Sequence, residues 1–214
     1  MLRRKWPDGK IGVDTWPKAP YDPRMSHCRL AKTDDAAAIQ AIYAPVVHDT
    51  AISFEYEVPD AAEITLRMEK VLASRPWLVY RDGADVLGYA YASTFRDRRA
   101  YDWSVEVSVY VHADARGRGV GKELYAMLFD VLRAQNYCQV IAGATLPNEQ
   151  SERLHEAFGF TRVGVFPSVG YKFGKWHDVI FWALALREFP ARAPGLININ
   201  ELVHRPEWQW LTSE

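Results

Sequence analysis

The sequence predicts a mixed α/β fold, a mostly antiparallel central sheet flanked by helices, and three features carry that prediction. Ser104–Val111 alternates strictly, with Val105, Val107, Val109 and Val111 on one side and Ser104, Glu106, Ser108 and Tyr110 on the other, the period of a strand with one buried face. This strand runs through Arg116-Gly117-Arg118-Gly119-Val120-Gly121-Lys122 into a segment carrying Leu124, Leu128, Val131 and Leu132 on one helical face. Between Trp77–Arg81 and Val86–Ser93 stands Asp82-Gly83, a strong signal for a tight hairpin. Hairpins and helices alternating around one strand–turn–helix passage make a mixed sheet.

In chain order, residues 1–25 read as an irregular arm, broken by prolines at 7, 17, 20 and 23 and glycines at 9 and 12. A short strand follows near His27–Leu30. Thr33 is placed to cap a helix over Asp34–Ala44, with acids in its first turn and Pro45 ending it. Asp60-Ala61-Ala62-Glu63 has the form of a capping box and opens a helix to about Ala73. After the hairpin and the Glu106 strand, a helix is predicted over Val120–Ala134. A buried strand over Gln139–Leu146 and a helix over Glu149–Phe158 come next, then two strands over Thr161–Phe166 and Val179–Leu186. Residues 26–187 thus form the domain, and 188–214 a second arm, with Pro190, Pro194 and Gly195 near its start and Trp208 and Trp210 near its end.

Composition narrows the partners. With 49% hydrophobic and 25% charged residues the chain can bury a real core. Its formal net charge of −1 argues against nucleic acid or a membrane surface as the main partner. No apolar run reaches a membrane span, and the basic Arg3-Arg4-Lys5 is followed by Trp6 and Pro7 rather than an apolar signal segment, so the cytoplasm is expected. Cys28 and Cys138 show no metal spacing and read as reduced thiols, and the histidines form no HExxH pattern, so no metal is expected.

The chemistry concentrates at residues 116–122. Glycines let several backbone N–H groups turn toward one anion, the helix start adds partial positive charge, and Arg116, Arg118 and Lys122 add full charges. A P-loop is excluded by Arg116 and Glu123, where glycine and Ser or Thr are required; glycines at 117, 119 and 121 miss the dinucleotide spacing. The loop therefore reads as a phosphate cradle, with a lone glutamate, Glu106, on the polar face of the strand that feeds it.

These residues carry a resemblance. Arg116–Lys122 after a strand is similar to the pyrophosphate loop of the GNAT N-acetyltransferases, and Asn148, Ser151, Leu154, Gly159 and Phe160 fit that family's second motif, with His155 where many members carry tyrosine. Ala100-Tyr101-Asp102-Trp103, Pro76-Trp77-Leu78-Val79, Gly170-Tyr171-Lys172 and Trp176-His177-Asp178 further resemble the phosphinothricin and methionine sulfoximine/sulfone acetyltransferase branch. The resemblance spans about residues 27–187 and leaves both arms outside.

The resemblance implies a GNAT fold with a sheet splayed to hold acetyl-CoA, and direct acetyl transfer to the α-amino group of a small amino acid such as phosphinothricin or methionine sulfoximine. It implies roles in resistance to such compounds and a homodimer. Glu106 would be the base, since an α-ammonium must lose a proton to attack, and His155 a second catalytic group. Tyr110, Val111, Arg116, Gly117, Arg118, Gly119, Val120, Gly121, Lys122 and Asn148 would bind the cofactor. Phe54, Arg96, Arg98 and Tyr125 would bind the substrate, guanidinium forks suiting its anionic groups. Two alternatives stay open: transfer to another amine, such as a polyamine, an aminoglycoside or a protein N-terminus, and an acyl-CoA-binding sensor without turnover. Neither cysteine has an activating partner in sequence, which disfavours an acyl-cysteine route.

Overall fold

The computed structural model describes residues 27–212, so the expected arm over 1–25 lies outside the described residues. Seven strands form one sheet in the order β1-β2-β3-β4-β5-β7-β6. They are β1 (Cys28–Leu30), β2 (Trp77–Asp82), β3 (Asp85–Thr94), β4 (Ser104–Val111), β5 (Gln139–Thr145), β6 (Thr161–Lys172) and β7 (Lys175–Ala185). The helices are α1 (Ala36–Asp49), α2 (Ala61–Leu72), α3 (Val120–Ala134), α4 (Glu149–Ala157) and the short α5 (Ile199–Leu202). β4 pairs with β5 in parallel; the other described pairings are antiparallel.

Strand alternation sorts the core into two layers. Val105 and Val107 point to the α3 layer, with Leu124, Leu128, Val131, Leu132 and Trp182. Tyr89 and Val79 point to the α1–α2 layer, with Ile39, Val47, Ile64 and Met68, and Tyr110 packs against it. Asp60 caps α2 as expected, accepting from the Glu63 N–H at 2.8 Å. Gly83 sits at φ 61° in the β2–β3 turn.

Three local readings are corrected. Thr33 caps nothing. The Asp35 carboxylate instead accepts from the Lys32 N–H at 2.7 Å and takes the Arg29 guanidinium on both oxygens. Burial pushes the Asp35 pKa up, but the Arg29 and Lys32 bonds outweigh it and hold the group below its ordinary value. Pro45 does not end the first helix, which runs through it to Asp49. A proline forfeits one backbone bond; against that, Val46 and Val47 continue the buried face. The real end is fixed from across the molecule. Lys172, 2% exposed, donates from Nζ to the carbonyls of Val47, Thr50 and Ser53 at 2.6, 2.9 and 2.8 Å. A cation thus takes one carbonyl of the last turn of α1, the carbonyl of its cap residue Thr50 and one from the loop that follows.

Third, the last two strands form one long hairpin turning at Phe173-Gly174, both at positive φ. The strands expected over Thr161–Phe166 and Val179–Leu186 extend toward each other, the first through Pro167 and Gly170 to Lys172. On an edge strand a proline costs no ladder bond, and the register shift between Phe166 and Gly170 absorbs the irregularity.

The C-terminal segment returns to its own core. Ile199, Leu202 and Leu211 are buried, and Trp208 and Trp210 pack against the same cluster. Among the described residues no helix is long and apolar enough to cross a membrane.

Replacing Lys172 with Met should lower unfolding stability by roughly 2–4 kcal/mol, because three buried carbonyls lose a charged donor. Urea midpoints of the two proteins measure this; an unchanged midpoint would mean the carbonyls find other partners.

Candidate active site

The site begins where one ladder stops. β4 and β5 pair only at Ser104↔Gln139, Val105↔Val140 and Glu106↔Ile141. Beyond that point β4 stays with β3 to Val111, and β5 stays with β7 to Thr145. The two strands part, and a cleft of about 580 Å³ opens between Val107–Val111 and Gly143–Ala144. Backbone groups on these facing edges lack a strand partner, and buried backbone groups need one. An extended ligand with amide groups fits such a slot.

At the mouth of the cleft lies the glycine-rich turn. Gly117 and Gly119 hold φ of 77° and 88°, conformations that a side chain would strain. Gly119 caps α3, whose first turn leaves the Val120 and Gly121 amides without intrahelical acceptors. Arg116, Gly117, Gly119, Val120, Gly121 and Lys122 all line the cleft. Arg118 does not: its guanidinium bonds Asp82 at 3.1 Å, tying the turn to the β2–β3 hairpin. Asn148 lines the far wall, and its Oδ1 caps α4 by accepting from the Ser151 N–H at 3.1 Å, which leaves its amide NH2 for a ligand.

Tyr125 and His155, from α3 and α4, meet inside the cleft. His155 Nδ1 lies 2.7 Å from the Ser151 carbonyl oxygen, which only accepts, so Nδ1 carries the ring hydrogen. Nε2 is therefore a lone pair and receives the Tyr125 hydroxyl at 3.2 Å. Burial lowers the His155 pKa to about 4, against the opposing Ser151 bond, and the ring stacks on Trp182 at 4.7 Å. His155 is thus a neutral acceptor at pH 7. Burial likewise raises the Tyr125 pKa.

Glu106 sits at the last β4–β5 pairing, below the cleft floor rather than in its lining. Burial pushes its carboxyl above the ordinary range. Tyr110, by contrast, lines the cleft and packs on Tyr43 and Tyr89 at centroid distances of 5.1 and 5.2 Å. Val111 lines it too.

The substrate residues read from sequence are dispersed. Tyr125 is in the cleft. Phe54 lies in the α1–α2 loop against Gly170, where a Cβ would collide with its ring, and near His177. Its neighbour Ile52 reaches the cleft instead. That loop is held by Glu55, which takes Arg67 at 2.8 and 3.2 Å and the Tyr43 hydroxyl at 2.9 Å. Arg96 and Arg98 lie in the 95–103 loop before β4, outside the cleft lining, with the Arg96 guanidinium over the Phe95 and Tyr101 rings. Ser151, read in sequence only as a member of the second motif, and Trp182, absent from that reading, set the His155 ring. The i−4 spacing of Ser151 was the available signal for one of them. Cys28 and Cys138 are both buried and line no part of the cleft. Among the described residues no group of three His, Cys, Asp or Glu side chains is placed to hold a metal.

Comparison with known proteins agrees with this geometry. Residues 28–181 match the family model described as an acetyltransferase (GNAT) domain. The chain is 39% identical over 171 residues to a phosphinothricin N-acetyltransferase of Streptomyces viridochromogenes, covering 80% of this chain and 92% of that one. It is 36% identical over 164 residues to the L-methionine sulfoximine/L-methionine sulfone acetyltransferase of Salmonella typhimurium, covering 76% and 96%. Among solved structures, a GNAT superfamily phosphinothricin acetyltransferase from Sinorhizobium meliloti in complex with AcCoA superposes with a TM-score of 0.76 at 34% identity. That match covers 83% of this chain and 97% of the other.

His155 makes stability depend on pH. Its folded pKa of about 4 lies below the unfolded value near 6.5, so the unfolded chain binds the extra proton. The stability is full above pH 6.5 and falls as pH drops toward 4. His155→Gln should lose this dependence, narrowing its stability gap to wild type by about 2 kcal/mol between pH 7.5 and 5. Urea unfolding at both pH values measures it; parallel pH profiles would mean the folded His155 titrates normally.

Proposed function

This chain belongs to the GNAT acetyltransferase family, and from that premise we propose that it transfers the acetyl group of acetyl-CoA to the α-amino group of a small amino acid of the phosphinothricin or methionine sulfoximine/sulfone kind. One observation carries the reading: the cleft between β4 and β5 has the glycine-rich turn at its mouth, and the half-buried Glu106 carboxyl, raised in pKa, stands at the last β4–β5 pairing just outside its lining. The names of the relatives support the substrate class.

The fit to acetyl-CoA rests on particular groups. The Gly117–Gly121 backbone with Arg116 and Lys122 would hold the pyrophosphate, the Tyr110–Val111 edge and Asn148 the amide-bearing arm. Bound there, acetyl-CoA supplies an activated acyl carbonyl. Glu106 takes a proton from the α-ammonium, directly or through one water, and its burial brings its pKa toward the working range. The departing thiolate takes its proton from Tyr125 Oη, whose hydroxyl turns from His155 Nε2 to deliver it and is reprotonated from solvent, while the His155 hydrogen stays bonded to the Ser151 carbonyl. Ile52 would form the wall beside the acceptor, with Phe54 packed behind it against Gly170.

The proposed assembly is a homodimer joined through the β6–β7 hairpin. Val163, Phe166, Val169, Phe173 and Trp176 are each more than half exposed there, on and beside an edge strand. Such an edge is ordinarily covered or charged.

Thiol release from acetyl-CoA, measured in parallel with L-phosphinothricin, L-methionine sulfoximine, L-methionine sulfone, spermidine and kanamycin, tests the substrate class. Saturable release is expected with the first three alone. Release with spermidine or kanamycin would replace the substrate class, and silence with acetyl-CoA still bound would favour a sensor. Glu106→Gln should keep acetyl-CoA affinity and lose turnover by ~10²–10⁴-fold. The wild-type acidic limb of kcat/KM should lie above the ordinary glutamate range and vanish in the variant; near-normal turnover would remove Glu106 from the role.

A further inference from the structure

Residues 194–200 lie beyond the region 28–181 matched to the family, and they run as a strap across the ends of α2 and α3. Gln135, fully buried just past α3, donates from Nε2 to the carbonyls of Ser74 and Ile197 at 2.9 and 2.8 Å. Its own carbonyl takes the Ile197 N–H at 3.0 Å. Asn198 Nδ2 donates to the Ala73 carbonyl at 2.8 Å. Past the strap, Ile199, Leu202 and Leu211 enter the core, so its far end is anchored.

The strap also reaches the closed end of the fork between β4 and β5. Trp103, the residue before β4, donates from Nε1 to the Pro194 carbonyl at 2.7 Å. Its own carbonyl accepts from the Cys138 and Gln139 N–H groups at 2.9 and 3.2 Å, where the pairing of β4 with β5 begins. Next along the strap, the Gly195 carbonyl takes Asn136 Nδ2 at 2.8 Å. Three register pairs then make up the whole β4–β5 junction, and Glu106 stands at the last of them. The ends of so short a ladder open readily unless other contacts hold them. Glu106 is three residues from Trp103, about 10 Å along the strand, so a tilt at the first rung is carried to its carboxyl.

We propose that the C-terminal strap clamps this junction, and that Trp103 is a positioning residue which, through its bond to Pro194, fixes where Glu106 stands against β5. Trp103 lines no part of the cofactor cleft, so it acts only through β4. The consequence for turnover rests on the acetyl-transfer reading; the hold on the β4–β5 junction does not.

Trp103→Phe keeps an aromatic ring and loses the Nε1 donor. Trp210→Phe loses the same kind of donor at the far end of the segment, where Nε1 bonds the Glu207 carbonyl at 2.9 Å, and controls for general loosening. Amide hydrogen exchange on the full chain should show Cys138 and Gln139 exchanging at least tenfold faster in Trp103→Phe and unchanged in Trp210→Phe. With acetyl-CoA and L-phosphinothricin, kcat should fall roughly tenfold in Trp103→Phe. Its acetyl-CoA affinity should hold, because the glycine-rich end of the slot is untouched. Asn136→Gly suits the positive φ of 73° there and removes the Gly195 bond, with one from Arg187, while leaving Trp103 in place. It should move both readings the same way, and it carries the test if Trp103→Phe does not fold. Wild-type exchange at Cys138 and Gln139 in these variants, equal acceleration in Trp210→Phe, or faster exchange with kcat unchanged overturns the proposal. A wild-type chain that releases no thiol with any acceptor would refute the acetyl-transfer reading, and the exchange rates would still decide the clamp.

Discussion

The rest of this structure depends on where β4 and β5 stop pairing. Three parallel register pairs hold them together up to Glu106, and each strand then follows its other neighbour. Continued pairing would have consumed the backbone edges of Val107–Val111 and left a solid sheet. Separation instead makes a slot inside the sheet, ending at a carboxylate below and opening toward the α3 N-terminus above. Two small residues, Gly143 and Ala144, keep the β5 wall from filling it. The same parting brings α3 and α4 together across the slot, so Tyr125 meets His155.

A slot inside a sheet needs fixed walls, and charged side chains tie together the elements beside it. Lys172 joins the β6–β7 hairpin to the end of α1, and Arg67 with Glu55 and Tyr43 holds the loop that follows. For Glu55, burial pushes the pKa upward, yet the bonds from Arg67 and Tyr43 outweigh it and keep the carboxylate below its ordinary value. Glu106, whose carboxyl is pushed up by burial, moves the other way. The two glutamates thus shift in opposite directions, Glu55 held as an anion by its partners and Glu106 pushed toward its protonated form by burial. Their neighbours set that division, since the residue type is the same.

Much of this was readable because it is local. The alternation of 104–111, the Val120–Ala134 face and the Asp60 cap are written within a few residues of one another, and they reappear with nearly the same bounds. The glycine-rich turn before α3 was readable because positive φ at Gly117 and Gly119 demands glycine. What escaped depends on distant partners. The helix runs past Pro45 because Val46 and Val47 continue its buried face, and its end takes Lys172, well over a hundred residues away in sequence. Arg118 turns from the cleft because Asp82 stands beside it, and no spacing rule predicts that contact. The strap over 194–200 looked irregular in sequence because its bonds go to the ends of two helices rather than to a ladder.

Amide hydrogen exchange across the chain, with and without saturating acetyl-CoA, tests the central claim most directly. If the parted strands and the glycine turn hold the coenzyme, protection should rise at Val107–Val111 and Gly117–Gly121, with little change in the paired Ser104–Glu106. Unchanged exchange along Val107–Val111, with new protection elsewhere, would mean that the slot between β4 and β5 is not where the coenzyme lies.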